Sequence, residues 1–311
     1  MKISFIIIAY NEETNISHCI NSILSQNELA DYEVIVINDA SKDSTSQVVK
    51  NLIKKNKNIK LIDLKLNKGR GNARYIGVKK AIGNYIAFVD ADIILPKNWL
   101  NVCFRYLKKY DAVGGIAVPD GDVAYIFNKF NLKPKLINHT TEITGSNGIF
   151  KNKIFKNINF NKKLSNGEDF DLNERLKNKG FKLKSVKDLI VRHNCIKDYS
   201  DSLKWLYQSG EGSTRLIKKY KKIRLPDVAF FGFIFFLLIM IFEGIFLKTH
   251  LFLVLFLLYP LITSFLHIRS RYKFESKKIL SFLLAIVINY SLILAYYVGR
   301  IIGVLKWKKL I

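Results

Sequence analysis

Cysteine is scarce in this chain. Cys19, Cys103 and Cys195 are odd in number, far apart and without a CxxC pair, which excludes a disulfide framework and offers no zinc-binding spacing. They read as reduced, structural thiols. The phosphate-loop spacing GxxxxGK[ST] and the dinucleotide turn GxGxxG are both missing, so nucleotide hydrolysis and dinucleotide binding lose support. No apolar leader with a small-residue cleavage site opens the chain. Met1-Lys2 runs straight into Ile3–Ile8 and then Asn11-Glu12-Glu13, which has the length of a buried strand, so the first part of the chain is expected to stay in the cytoplasm.

Acidic residues are few, 25 Asp+Glu against 50 Lys+Arg, for a formal charge of +25. Such an excess suits an anionic partner, whether nucleic acid, anionic lipid or a phosphorylated substrate, and equally suits solvated lysine faces. No interleaving of aromatic and basic residues typical of RNA-binding motifs occurs, so nucleic acid is not expected as a partner.

Long hydrophobic runs are absent until about residue 228. Three then follow, Val228–Leu247, Leu251–Leu266 and Ile279–Leu305, against a bilayer core of about 30 Å that takes roughly 20 helical residues to cross. The second is marginal in length. Residues 1–200 are expected to form a soluble domain, 201–226 a basic amphipathic juxtamembrane segment, and 227–311 a membrane region of two or three transmembrane helices. In the juxtamembrane segment Leu203, Leu206, Tyr207, Leu216, Ile217 and Tyr220 recur at helical spacing beside Lys218-Lys219-Tyr220-Lys221-Lys222, the pattern of a helix lying on a membrane surface or of a plain linker helix.

The positive-inside rule puts the loop carrying Arg269, Arg271, Lys273, Lys277 and Lys278 in the cytoplasm and Lys248-Thr249-His250 outside. Three full spans would then leave Lys306-Trp307-Lys308-Lys309 outside, against the same rule. Glu243 and Arg300 fall inside apolar runs and are read as snorkelling toward the interface.

The first 118 residues repeat a short β-branched run followed by a longer segment of helical spacing. Ile3–Ala9, Glu33–Asn38, Ile59–Leu64, Tyr85–Val89 and Ala112–Val118 are the predicted strands, and the alternation implies a mainly parallel sheet with helices on both faces. Ligands then belong at the carboxyl ends of the strands, where Asn11-Glu12, Asp39, Asn67-Lys68-Gly69 and Asp90-Ala91-Asp92 fall. Residues 119–165 lose the rhythm and read as a functional loop on the acceptor side. A helix is predicted from Asp169 to Lys179, with Ser165 and Glu168 in capping-box spacing and Gly180 as the stop, then a strand over Phe181–Val186.

Asp90 and Asp92, one residue apart at the end of an apolar strand, point the same way and can share a hard divalent ion with a pyrophosphate. Lys68, Arg70 and Arg74 surround Gly69 and Gly71 ahead of a helix, an arrangement that suits phosphates.

Six segments carry a resemblance, in order: Ser4–Glu12 (SFIIIAYNE), Val34–Thr45 (VIVINDASKDST), Asn67–Gly77 (NKGRGNARYIG), Phe88–Asp92 (FVDAD), Gly145–Lys151 (GSNGIFK) and Gly167–Leu183 (GEDFDLNERLKNKGFKL). Over residues 3–195 the chain resembles family 2 glycosyltransferases. The resemblance implies an α/β fold of the GT-A type, a Rossmann-like, mainly parallel nucleotide-diphospho-sugar transferase domain, followed here by an α-helical transmembrane region. It also implies an inverting transferase that uses a nucleotide-sugar donor and Mg²⁺ or Mn²⁺.

By that resemblance Ala9, Tyr10, Asn11, Glu12 and Asp39 hold the donor's base and ribose, and Lys68 and Arg74 lie near the diphosphate. Asp90, Ala91 and Asp92 form the metal motif, with Asp92 the direct ligand. Asp169 is the base that deprotonates the acceptor, Glu168 is an alternative base, and Ser146 and Asn147 belong to the acceptor side. His193 matches a histidine that approaches the metal in some relatives, and reads otherwise as a hydrogen-bonded core residue. Two departures are Asn38, where an acidic residue is common, and Ala40, where glycine is.

The expected acceptor is a polyprenyl-linked glycan or a growing surface polysaccharide, with membrane lipid as a partner and the catalytic domain on the cytoplasmic side of the cell membrane. A polyprenyl-phosphate monoglycosyltransferase, similar to dolichyl-phosphate-sugar synthases, is the close alternative. A nonenzymatic membrane scaffold or nucleic-acid-binding protein is the distant one.

Overall fold

The structure is a computed structural model and describes residues 2–27, 31–119, 132–134, 142–194, 199–221, 223, 225–247, 251–274 and 279–306. Much of the expected acceptor-side loop, residues 120–131 and 135–141, lies outside the described residues. The chain divides into two compact units, residues 1–120 with 136–195, and residues 121–135 with 196–311.

In chain order the elements of the first unit begin with β1 (Lys2–Ala9), α1 (Ile16–Leu24), β2 (Asp31–Asn38), α2 (Thr45–Lys55), β3 (Ile59–Asp63) and α3 (Arg70–Lys80). They continue with β4 (Tyr85–Asp90), β5 (Ile93–Ile94), α4 (Trp99–Leu107) and β6 (Ala112–Pro119). After β7 (Leu132–Pro134), which belongs to the second unit, come β8 (Asn147–Lys151), α5 (Glu168–Asn178) and β9 (Leu183–His193).

The strands form one sheet in the order β3-β2-β1-β4-β8-β6-β9-β5. From β3 to β4 all pairs are parallel. β8 then runs antiparallel between β4 and β6, and β9 runs parallel to β6.

The parallel half was readable because its strands are buried on both faces and so are apolar at nearly every position. Phe5 and Ile7 of β1 pack with Ile16, Ile20 and Ile23 of α1 and Trp99 of α4 on one face. Ile6 packs with Ala73 and Val78 of α3 and with Phe88 and Phe150 on the other. Each such side chain contributes about 1.5–3 kcal/mol on burial. The antiparallel insertion of β8 is what breaks the rhythm after residue 119, and β9 extends to His193, well past the predicted Val186.

The predicted capping box does not form. Gly167, with a left-handed φ of 71°, is the N-cap of α5, and no side chain caps the helix. Glu168 instead turns its carboxylate to the buried Arg74. Gly180, φ 78°, does end the helix region as expected.

The second unit holds α6 (Tyr199–Tyr220), α7 (Leu225–Phe242) continued by a π-turn over Glu243–Leu247, α8 (Leu251–Arg271), β10 (Tyr272–Phe274) and α9 (Ile279–Lys306). Leu132, Lys133 and Pro134 of β7 pair antiparallel with Phe274, Lys273 and Tyr272 of β10. Two stretches, Pro226–Phe246 and Leu283–Leu305, are long and apolar enough to cross a membrane.

One expectation is refined here and one needs correction. The apolar side of α6 packs within its own unit: Leu203 and Leu206 meet Ile268, Ala285 and Leu292, and a Cβ on Gly210 would stand 2.1 Å from the Tyr296 carbonyl oxygen of α9. Arg300 does not snorkel. It is 2% exposed and ion-paired with the fully buried Asp227, because inside an apolar bundle a paired guanidinium is cheaper than a lone one.

Two substitutions test the backbone. Ala40 holds φ 63°, a left-handed conformation that disfavours a Cβ, so Ala40→Gly should raise stability by up to about 1 kcal/mol in thermal melts, against the usual direction for this exchange. A Cβ on Gly71 would meet the Leu164 carbonyl oxygen at 2.3 Å. Gly71→Ala should therefore cost at least about 2 kcal/mol.

Candidate functional site

The carboxyl edge of the parallel strands collects the predicted polar residues. Cys19 Sγ of α1 donates to the Asp90 carbonyl oxygen at 3.3 Å, which fixes the backbone where β4 ends. Asp90 then sends its side chain toward α3, where Arg74 Nη2 donates to Asp90 Oδ1 at 2.6 Å. Arg74 Nη1 donates to Glu168 Oε1 at the start of α5. The guanidinium is 2% exposed and lies over the Phe160 ring, 5.8 Å from its centroid. A Cβ on Gly145 would come within 2.6 Å of Arg74 Cζ, so the chain passes there only as glycine.

Charge balance in this cluster is tight. Asp90, Glu168 and Asp169 hold Arg74 as a cation with its pKa raised, although burial opposes its charge. Burial pushes the Glu168 carboxyl up to about 7 against the pull of Arg74, with Asp169 adding to the rise. Asp169 follows on the first turn of α5, half-buried, and its Oδ2 accepts from Gly145 N at 3.2 Å.

Asp92 lies past the end of β4 and meets His193 at the end of β9, because Ile93 of β5 pairs with His193 across an antiparallel register. His193 Nε2 is 3.2 Å from Asp92 Oδ1. That oxygen is buried and accepts no hydrogen bond from the described residues. Ligand atoms of Asp90, Asp92 and His193 lie within 4.8 Å of one another. Two carboxylates, one of them with an unsatisfied buried oxygen, and one imidazole are a donor set that suits a divalent metal ion.

The remaining predicted residues are placed as follows. Tyr10 is 44% exposed beside the end of β1. Asn11, with φ 57°, accepts from Lys42 N and donates its own N–H to Ser41, joining the loops after β1 and β2. Glu12 N donates to Thr45 Oγ1. Ala9 and Ala91 are buried backbone positions.

Asp39 accepts from Lys68 N at 3.0 Å and Gly69 N at 2.8 Å, so it braces the glycine loop. Lys68 carries its side chain outward. Ser146 is buried next to Asn147. Asn147 is 0% exposed, accepts from Trp99 Nε1 at 2.7 Å and donates to the Leu189 carbonyl oxygen at 3.3 Å, so it ties β8 to α4 and β9. The glycines of the basic loop approach the chain itself: Gly69 packs on Ser165, and Gly71 N donates to Leu164 O at 3.0 Å.

Sequence reading missed the bridging role of Arg74, since a basic residue near a phosphate loop reads as a ligand unless its burial is known. Phe160 and Gly145, which house the guanidinium, lie far from Arg74 in the chain and meet it only in the fold.

A half-parallel sheet with its acidic pair at the carboxyl edge defines a GT-A fold. The mannosyltransferase PcManGT from Pyrobaculum calidifontis, solved with GDP-Man and Mn²⁺, superposes with a TM-score of 0.58 at 18% identity, over 71% of this chain and 65% of that one. Staphylococcus aureus TarS 1-349, solved with UDP-GlcNAc, gives 0.50 at 20% identity, over 74% and 78%.

The sequence profile of glycosyl transferase family 2 matches residues 4–163, and the chain belongs to that family. The poly-β-1,6-N-acetyl-D-glucosamine synthase of Staphylococcus epidermidis is 33% identical over 114 residues, 37% of this chain and 27% of that protein. The poly(ribitol-phosphate) β-glucosyltransferase of Bacillus spizizenii is 31% identical over 195 residues, 58% and 30%. The chain spans less than a third of the length of either. Glycosyltransferase AglE of Haloferax volcanii is 24% identical over 228 residues, 69% and 73%.

A pH test follows from Glu168. Its folded carboxyl titrates at about 7 against an ordinary value of 4.5, so the native state holds the proton more tightly than the unfolded chain. The stability this contributes is complete below about pH 4.5 and is lost as pH rises through about 7. Relative to Glu168→Gln, which stays neutral, the parent should lose about 1–3 kcal/mol between pH 5 and pH 8. Melting curves of both proteins across that range measure it, and parallel curves would contradict the assignment.

Proposed function

We propose that the chain is an inverting, metal-dependent glycosyltransferase that moves a sugar from a nucleoside-diphosphate donor to a lipid-linked or cell-surface glycan at the cytoplasmic face of a membrane. The observation that carries this is the Arg74 bridge, which ties the Asp90 end of the acidic pair to the first turn of α5, where Asp169 stands free of the ion pair.

Asp169 is the base. Its Oδ2 is steadied by Gly145 N, and its place beside the buried Glu168–Arg74 pair lets it take the acceptor's hydroxyl proton without forming a covalent intermediate. Glu168 is the weaker candidate, because Arg74 already occupies it. Tyr10, Asn11, Glu12 and Asp39 bind the base and ribose at the ends of β1 and β2, and Lys68 faces the diphosphate.

Asp92, with Asp90 and His193, would hold Mg²⁺ or Mn²⁺, which supplies positive charge to the departing diphosphate. Asp90 gives one oxygen to Arg74, so Asp92 is the principal ligand. Nucleotide-sugars bound to GT-A neighbours and glycan-building names among the relatives support the donor and acceptor classes. Residues 1–200 are assigned to catalysis, 201–226 to the connection and 227–311 to membrane attachment, with the apolar stretches of the second unit as support.

With a nucleotide-sugar and Mn²⁺, the purified chain should transfer sugar. Asp169→Asn should lower turnover by about 10²–10⁴-fold while nucleotide binding, read by thermal shift, persists. Asp92→Ala should lose both turnover and the Mn²⁺-dependent part of that shift. Full turnover in either variant would overturn the roles given. Release of a single sugar on a polyprenyl monophosphate would identify the monoglycosyltransferase instead.

A further inference from the structure

The helices of the second unit do not all run the same way. Tyr259 of α8 donates to the Ala229 carbonyl oxygen and meets the Phe236 ring at a tilt, 5.1 Å between centroids, which sets α7 and α8 side by side as a hairpin. α9 meets both arms, but at one end only. Near its start it contacts α8 beyond Tyr259: Ser264 Oγ donates to Ile286 O at 2.7 Å, and Asn289 Nδ2 donates to Ser264 Oγ at 3.0 Å.

Further along, α9 contacts the beginning of α7. Arg300 pairs with Asp227, and Tyr297 lies 5.7 Å from Phe230 and 4.8 Å from Phe233. Asn289 to Arg300 is about 16 Å of helix. On α8 these contacts reach Ile268, close to its end, and on α7 they reach Asp227, close to its start, so both lie toward the open end of the hairpin. A helix that joins the open ends of the two arms over such a length runs across the hairpin and follows neither arm.

α6 runs alongside α9 in the same direction. Tyr199 bonds Ser291, Gly299 abuts the Tyr207 carbonyl oxygen, and Gly303 abuts the Glu211 carbonyl oxygen. If α9 spanned the membrane, α6 would be drawn in beside it with Asp201, Lys204, Glu211 and Lys219. Ionised side chains are rare along spanning segments and face the bundle interior where they occur, whereas Asp201, Lys204 and Lys219 are exposed. α9 meanwhile exposes the apolar stripe Leu284, Val287, Val298, Ile302 and Leu305, whereas α6 exposes mainly polar side chains, Asp201, Lys204, Gln208 and Lys219, beside Tyr199 and Trp205.

We propose that α6 and α9 lie together in the plane of the membrane surface, and that the chain enters the bilayer only as the α7–α8 hairpin. The partner is a phospholipid surface. The apolar stripe of α9 rests on the acyl boundary and the charged side of α6 faces water. The parallel helices bring the ends of α6 and α9, at Tyr220 and Lys306, to one end of the pair, where anionic headgroups favour basic residues. An in-plane α9 keeps its own end on the cytoplasmic side, as the positive-inside rule asks of a basic helix end. The inference rests on the reading that the second unit is membrane-attached.

Single substitutions Thr249→Cys, Ser276→Cys and Lys309→Cys in the full chain, treated with a membrane-impermeant maleimide in spheroplasts and in inverted vesicles, test it against the unsubstituted chain. Thr249→Cys should label from outside only, and the other two from inside only. Labelling of Lys309→Cys from outside with Ser276→Cys inside would overturn the in-plane arrangement alone.

Extraction of the whole chain by alkaline carbonate would overturn the membrane reading as well. As a second measurement, a fluorophore on Val287→Cys and on Val298→Cys should report the same shallow depth to lipid-borne quenchers. A spanning helix would separate these two positions by about 16 Å.

Discussion

A guanidinium without access to water must be paired, and Arg74 is paired twice. Asp90 at the end of β4 and Glu168 at the start of α5 share it, and Phe160 covers its face. Two segments far apart in the chain are thereby fixed to one side chain whose planar fork leaves little freedom of orientation. Lysine could not do this, since a single ammonium cannot meet both carboxylates in fixed directions. Removing the cation would leave two acids facing each other in a dry cavity, a loss of about 3–5 kcal/mol for a broken buried pair. The geometry of Asp90, and through α5 that of Asp169, depends on this one contact.

The same contact explains why the acids of the candidate site sit in different surroundings. Glu168 is drawn inward and raised toward neutrality by burial, which removes it from the solvent side. Asp169, one residue on, keeps a half-buried position and a backbone donor. Asp92 turns instead toward His193, and its buried oxygen finds no hydrogen bond among the described residues. Neighbouring carboxylates of like charge repel unless their surroundings separate their roles, and here a cation, a backbone N–H and an imidazole do so.

How much of this the sequence disclosed varies with the kind of force involved. Burial on both faces makes β1, β2 and β4 apolar at nearly every position, so their existence and order were plain. β8 was not, because Asn147-Gly148 at its start looks like a turn. It becomes a strand only when Trp99 and Leu189 satisfy the Asn147 amide.

The motif residues were found at the correct edge, but several of their contacts were not. Asp39 was read as a ligand for a base and also binds two amides of the neighbouring loop. Gly71 was read as room for a phosphate and gives room to Leu164. Spacing shows which residues meet at an edge, while partners depend on burial, which only the fold determines.

The second unit repeats the device in apolar surroundings. Arg300 is shared between Asp227 and the Tyr296 hydroxyl and lies 4.6 Å from the Phe230 centroid, so α7 and α9 are joined by a buried cation under an aromatic ring, as α3 and α5 are by Arg74. The difference lies in what surrounds the pair. Around Arg74 large phenylalanines fill the space, and the hydrophobic effect does most of the packing. Along α6 and α9, Gly210, Gly299 and Gly303 meet backbone carbonyls beside the apolar contacts of Leu203 and Leu206, so close backbone approach adds to apolar burial. Glycine permits that approach because it has no Cβ to hold the main chains apart. A pair built in this way can keep one apolar side and one charged side, which is the requirement for lying between water and a bilayer.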